Sequence, residues 1–156
     1  MGKFFLNPKH LIEELALKRN HKKIVFTNGC FDLIHVGHVR YLKEAKNQGD
    51  ILVVGLNTDA SVKRLKGASR PLQTEAERAE ILAAFEMVDG TVLFDEDTPE
   101  KLIEKLRPDV LVKGGDWPID KIVGSKFVMS YGGQVKSLQF VDGRSTSAII
   151  KLAEKS

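Results

Sequence analysis

The chain has 156 residues, 42 % of them hydrophobic and 29 % charged, which suits a single globular domain over 1–156 with a real apolar core. Its formal charge of +3 is small and its basic residues are scattered, a pattern that fits small anionic ligands and argues against nucleic acid as the partner. One cysteine, Cys30, excludes an internal disulfide, no run approaches the roughly 20 apolar residues of a membrane span, and the N-terminus lacks the apolar core of a signal peptide, so a cytoplasmic protein is expected.

The stretch NPKHLIEELALKRN predicts a helix over about 8–19, capped by Asn7, opened by Pro8 and lined on one face by Leu11, Ile12, Leu15 and Ala16. KIVFTN is too short for a helix and rich in β-branched and aromatic residues, so it reads as a strand. After a turn, Val39, Leu42 and Ala45 carry a helical pattern that stops at Gly49. ILVVGLN is a second strand. Beyond it SVKRLKGASRP reads as a mobile basic loop, and TEAERAEILAAF opens a helix with a Thr74–Glu77 capping box. TVLF is a third strand; Thr98 and Pro99 start a helix bearing Leu102, Ile103 and Leu106, and Pro108 stops it before the strand DVLVK. QVKSLQF supplies a fifth strand and STSAIIKLAEK a closing helix. Apolar strands alternating with amphipathic helices point to a doubly wound, Rossmann-like α/β fold. They imply a parallel five-stranded sheet with helices on both faces, its core over about 22–153.

Ligands of such sheets bind beyond the carboxyl ends of the strands. Those ends carry NGCFDLIHVGH, LNTD, FDED, KGGDW and FVDGRST, so nearly every unusual polar or glycine-rich cluster falls at one edge. In the first, a helix starting near Val36 or Gly37 would aim free N–H groups at the crevice, and Gly37 would allow close approach. His35 and His38, three apart, would share one face and could donate to the same phosphate chain, with added positive charge when protonated. The alternative is that the pair simply caps the helix. No further His or Cys cluster completes a zinc site, and neither the Walker lysine pattern nor the Gly-x-Gly-x-x-Gly fingerprint is present.

GCFDLIHVGH resembles the His-x-Gly-His signature of the nucleotidyltransferase superfamily, which includes cytidylyltransferases and sugar-phosphate adenylyltransferases. VGLNTDASVKRLKG, RPLQTEAERAEIL, VKGGDW and FVDGRSTSAI further resemble, in order and spacing, the adenylyltransferase domain of bacterial ADP-heptose synthases, over about residues 22–153. Phe140 stands where glycerol-phosphate cytidylyltransferases carry a basic residue, which favours ATP over CTP.

The resemblance implies that a sugar 1-phosphate, D-glycero-D-manno-heptose 1-phosphate above all, attacks the α-phosphorus of ATP in line and that magnesium pyrophosphate leaves. His35, His38 and Arg78 would be catalytic. Phe31, Asp32, Gly37, Asn57, Lys66, Lys113, Gly114, Asp116, Ser145 and Thr146 would bind the nucleotide, and Asp59, Arg64, Arg70 and Trp117 the acceptor. Mg2+ would be held mainly by phosphates and by no protein cluster, and a homodimer and a separate upstream sugar kinase are expected. Blander readings stay open for several residues. In these, Asp32 fixes a turn, Asn57, Asp59 and Ser145 cap helices, the basic loop residues are merely solvated, KGGD is a plain glycine turn and Trp117 is buried. Two rival functions stay open as well: transfer to another small phosphate ester such as glycerol 3-phosphate, with CTP or ATP, and a nucleotide-binding regulatory module without catalysis.

Overall fold

The computed structural model describes residues 2–139 and 146–155. Its strands are β1 (Lys3–Phe5), β2 (Ile24–Gly29), β3 (Ile51–Asn57), β4 (Gly90–Phe94), β5 (Val110–Gly114) and β6 (Gln134–Leu138). They form one parallel sheet in the order β1-β4-β3-β2-β5-β6. The helices are α1 (Pro8–Lys18), α2 (Val36–Lys46), α3 (Asp59–Lys66), α4 (Glu75–Ala83), α5 (Glu100–Leu106), α6 (Ser125–Ser130) and α7 (Thr146–Glu154).

Side chains alternate across the sheet and feed two cores. Val25, Leu52, Val54 and Leu56 pack with Tyr41, Leu42 and Ala45 of α2 and Ala79 and Leu82 of α4. Ile24, Phe26, Ile51 and Val53 pack on the other face with Leu11 and Leu15 of α1, Leu102 and Ile103 of α5 and Val128 of α6. Burying each large apolar side chain contributes about 1.5–3 kcal/mol, so neither face is dispensable and the doubly wound reading holds. The chain leaves β2 toward β3 and β4 on one side and returns to β5 and β6 on the other. The strand order therefore reverses between β2 and β5, where a ligand crevice belongs.

Three features differ from the sequence expectation. The sheet has six strands and not five, because β1 has only three residues, two of them exposed, and pairs at the edge with β4; no periodicity is readable over so short a run. The first part of the basic segment after β3, through Lys66, is a helix and not a loop: Thr58 caps α3 through a 3.2 Å bond from the Ser61 amide, and Ser61 and Val62 are buried. A 3-10 turn (Ile119–Lys121) and the six-residue α6 fill the span between β5 and β6, where no helix was expected.

Candidate active site

The loop from β2 to α2 is shaped from within. Phe31 lies in the left-handed region at φ 45°, a conformation that costs a non-glycine residue of order 1 kcal/mol or more and is held here by burial of its ring. That ring packs 5.1 Å from the His38 ring, and the His35 and His38 centroids are 3.9 Å apart. His35 is itself the N-cap of α2: its Nδ1 accepts from the Gly37 amide at 3.1 Å, and His38 Nδ1 accepts from the His35 amide at 3.3 Å. The capping reading and the phosphate reading therefore concern different nitrogens of the same rings. A neutral imidazole that accepts at Nδ1 carries its proton at Nε2, so His38 in its neutral form is set as a donor at that nitrogen. Burial, then the neighbouring His35 and Lys66 charges, push the His38 pKa down from 6.5 to about 4. Near neutral pH His38 is an uncharged donor, so of its two possible contributions only the hydrogen bond is on offer there. Gly37 is buried and its amide is spent on His35, so it serves the cap instead of a phosphate.

A cleft of about 410 Å3 opens at the strand-order reversal. It is bordered by Asn28 and Gly29 of β2, by Cys30, Phe31 and His38, by Lys66 from the end of α3, by Lys113 and Trp117 from the β5 edge, and by Thr146. This volume suits a small organic ligand. Trp117 is half-exposed, its indole N–H donates to the Gly114 carbonyl at 3.1 Å, and the Lys113 ammonium stands 5.5 Å from its ring centre. Gly115, at φ 107°, makes the turn that brings Trp117 back over the strand end; a Cβ there would meet the indole at 2.9 Å. Thr146 at the start of α7 donates to the Leu33 carbonyl at 3.0 Å, tying the last helix to the first loop. Ser145 and Phe140 lie outside the described residues. A second cavity of about 290 Å3 adjoins the first across Asn28, Gly29, Cys30 and Lys113, and continues past Asn57 to Asp97 and Thr98 over a floor that includes Leu65, Leu111 and Ile122.

Several acidic and basic residues expected at the ligand serve the protein instead. Arg78 is fully buried: its guanidinium donates to the carbonyls of Gln73 (3.1 Å), Cys30 (2.6 Å) and Asn57 (2.9 Å) and to the Asp59 carboxylate (2.7 Å). It is a strut joining β2, β3, α3 and α4, not an arm reaching to phosphate, and it also occupies Asp59, whose amide donates to Glu75 at 2.7 Å. Asp32 is buried and accepts from Arg70 and from the amides of Leu72 (2.6 Å) and Gln73. Burial by itself would raise its pKa, but the Arg70 and amide hydrogen bonds outweigh it and the net shift is downward. Asp32 and Arg70 thus pin the segment before α4 to the first loop. Arg64 is paired with Asp97 at 3.0 Å and with Asp95, both on the β4–α5 loop. Asp116 is exposed and does not border the cleft, and the Asn57 amide group donates to Ser61 at 3.0 Å while the residue borders the second cavity.

The sequence reading passed over Asn28, Tyr41, Asp97 and Thr98. Tyr41 follows His38 by three on the same helix face, a legible signal; its buried hydroxyl meets Thr27 at 2.6 Å below the cleft. Asp97 and Thr98 follow the third apolar strand, at the edge where ligands were expected.

The family description "Cytidylyltransferase-like" matches residues 26–152. The chain belongs to this family. It is a nucleotidyltransferase. It is 65 % identical to the bifunctional protein HldE of Citrifermentans bemidjiense over 139 residues, covering 87 % of this chain and 28 % of that protein. It is 64 % identical to the same-named protein of Geobacter metallireducens over 135 residues, covering 86 % and 28 %. The chain thus spans a little over a quarter of these relatives. The lipopolysaccharide core biosynthesis protein of Thermoplasma volcanium superposes with a TM-score of 0.61 at 30 % identity, over 77 % of this chain and 97 % of that one. Pantoate-beta-alanine ligase of Francisella tularensis, with a TM-score of 0.62 at 16 % identity over 99 % of this chain and 77 % of that one, shares the fold.

Proposed function

We propose that this chain transfers AMP from ATP to D-glycero-D-manno-heptose 1-phosphate, giving ADP-heptose for lipopolysaccharide or related surface glycans. The observation that carries the reading is the pair of adjoining cavities at the strand-order reversal, with His38, Lys66 and Lys113 at the first and Lys113 at their common border. The high identity to the HldE proteins supports the choice of sugar.

In this reading the acceptor's phosphate oxygen forms a bond to the α-phosphorus while the bond to the β-phosphate bridging oxygen breaks, and pyrophosphate leaves with the electron pair. His38 donates from Nε2 to the phosphate oxygens on which charge builds, His35 holds that ring by stacking and by its cap, and the two lysines offset charge. Bound magnesium would supply charge neutralisation for the pyrophosphate leaving group. Asp32, the acid bordering the first cleft, is committed to Arg70, so phosphates and water rather than a protein carboxylate would hold the ion there. The sugar 1-phosphate comes from a sugar kinase site outside these residues.

The test is pyrophosphate release with Mg2+, with ATP and CTP tried separately against heptose 1-phosphate, mannose 1-phosphate and glycerol 3-phosphate. Release with ATP and the heptose phosphate is expected. Turnover confined to CTP and glycerol 3-phosphate would move the chain to the cytidylyltransferases. ATP binding with no release from any acceptor would leave a nucleotide-binding module.

A further inference from the structure

The second cavity is electrically lopsided. At the border with the nucleotide cleft stands Lys113; at the far wall stand Asp97 and Thr98. Those two residues also border an open groove of about 540 Å3 in which four carboxylates, Asp95, Glu96, Asp97 and Glu100, face two cations, Arg64 and Lys101. Arg64 is already bonded to Asp97 at 3.0 Å and to the Asp95 carbonyl, so the groove keeps an acidic character and Asp97 is held at the partition between cavity and groove. The same cavity is lined also by Leu65, Leu111 and Ile122 and by Asn57. An acceptor that meets the α-phosphorus must put its reacting phosphate at the Lys113 end. Its other end then points at Asp97. A carboxylate accepts hydrogen bonds from hydroxyls and repels phosphate.

We infer that Asp97, positioned by Arg64, is the specificity residue that admits sugar monophosphates with a hydroxyl-bearing tail and rejects sugars carrying a second phosphate at the far end. This rests on the acceptor reading above and adds to it a rule of selection that the cavity pair alone does not supply. Arg64 acts through Asp97 and is a positioning residue.

The experiment compares kcat/KM for heptose 1-phosphate and heptose 1,7-bisphosphate by pyrophosphate release, in the wild type, Asp97→Asn, Asp97→Lys and Arg64→Lys. The wild type should prefer the monophosphate by at least about tenfold, as expected when a like charge is set against a ligand. Asp97→Asn should narrow that ratio and raise KM for the monophosphate without moving KM for ATP. Asp97→Lys should narrow it further or reverse it, and Arg64→Lys, which keeps a cation beside the carboxylate, should hold near the wild type. Asp97 is exposed, so these variants are expected to fold. A ratio unmoved by Asp97→Lys, in an enzyme that turns over the monophosphate, overturns this inference alone. A wild type inactive with every sugar 1-phosphate overturns the acceptor reading and this inference with it.

Discussion

Residues 27–38 and residues 57–78 both crowd the carboxyl edge of the sheet, and both are rich in groups that bind phosphate, yet the protein uses them in opposite ways. In the first stretch each histidine commits its Nδ1 to a backbone amide, and the His38 ring, kept neutral by burial, carries its proton on Nε2. In the second, Arg64, Arg70 and Arg78 are each bound to a carboxylate of the protein: Asp97, Asp32 and Asp59. The difference teaches that a cation near a site is an anion receptor only where the fold has not already neutralised it. Among the described residues bordering the first cleft, Lys66 and Lys113 pair with no described carboxylate, and the function proposed above gives them that role.

The sharpest way to break this contrast is at Arg78. Removing it strands the partly exposed Asp59 carboxylate, the buried Asn57 carbonyl and the part-buried carbonyls of Cys30 and Gln73, so Arg78→Ala should lower unfolding stability by about 3 kcal/mol in denaturant titration. Arg78→Lys should recover only part of that, since an ammonium cannot span four acceptors in the geometry of a guanidinium fork. If Arg78 instead contacted phosphate, the lysine variant would keep its stability and lose turnover.

His38→Ala should show the reverse pattern. Loss of one preorganised donor should cut kcat by roughly 10² to 10³, read by pyrophosphate release. Stability should fall by only about 1 kcal/mol, the worth of one capping bond. Wild-type turnover in this variant would sink the role given to the loop.

What the sequence made legible follows the same division. Long, strongly patterned elements were readable, and so was the Thr74–Glu77 capping box, because their causes are local. α3 was misread because DASVKRLK offers little apolar periodicity: Val62 is buried, Leu65 is half-exposed, and the ion pairs of Arg64 come from a loop more than thirty residues away. The histidine spacing was readable, but the occupation of Nδ1 by amides was not. Arg78 could not be recognised as a strut, since its carbonyl partners at Cys30 and Asn57 lie 48 and 21 residues away in sequence. A motif announces residue types at a place; the tertiary partners decide which atoms remain for a ligand.

The smallest expected effect is a silence in the pH profile. His38 has a folded-state pKa near 4 against 6.5 for a free side chain. Between those values the unfolded chain binds a proton here that the folded chain refuses, so stability is intact above pH 6.5 and declines as pH falls toward 4. Across the same window His38 stays neutral in the folded enzyme and keeps its proton on Nε2. Its NMR resonances should therefore be flat from about pH 8 down to about pH 5, and the pH–kcat curve should carry no inflection from this residue there. An acid limb centred near 6.5 that vanishes in His38→Gln would mean that the ring works as a cation. The first loop would then bind phosphate by charge, as the lysines do, and the contrast with the neutralised arginines would no longer rest on a neutral donor.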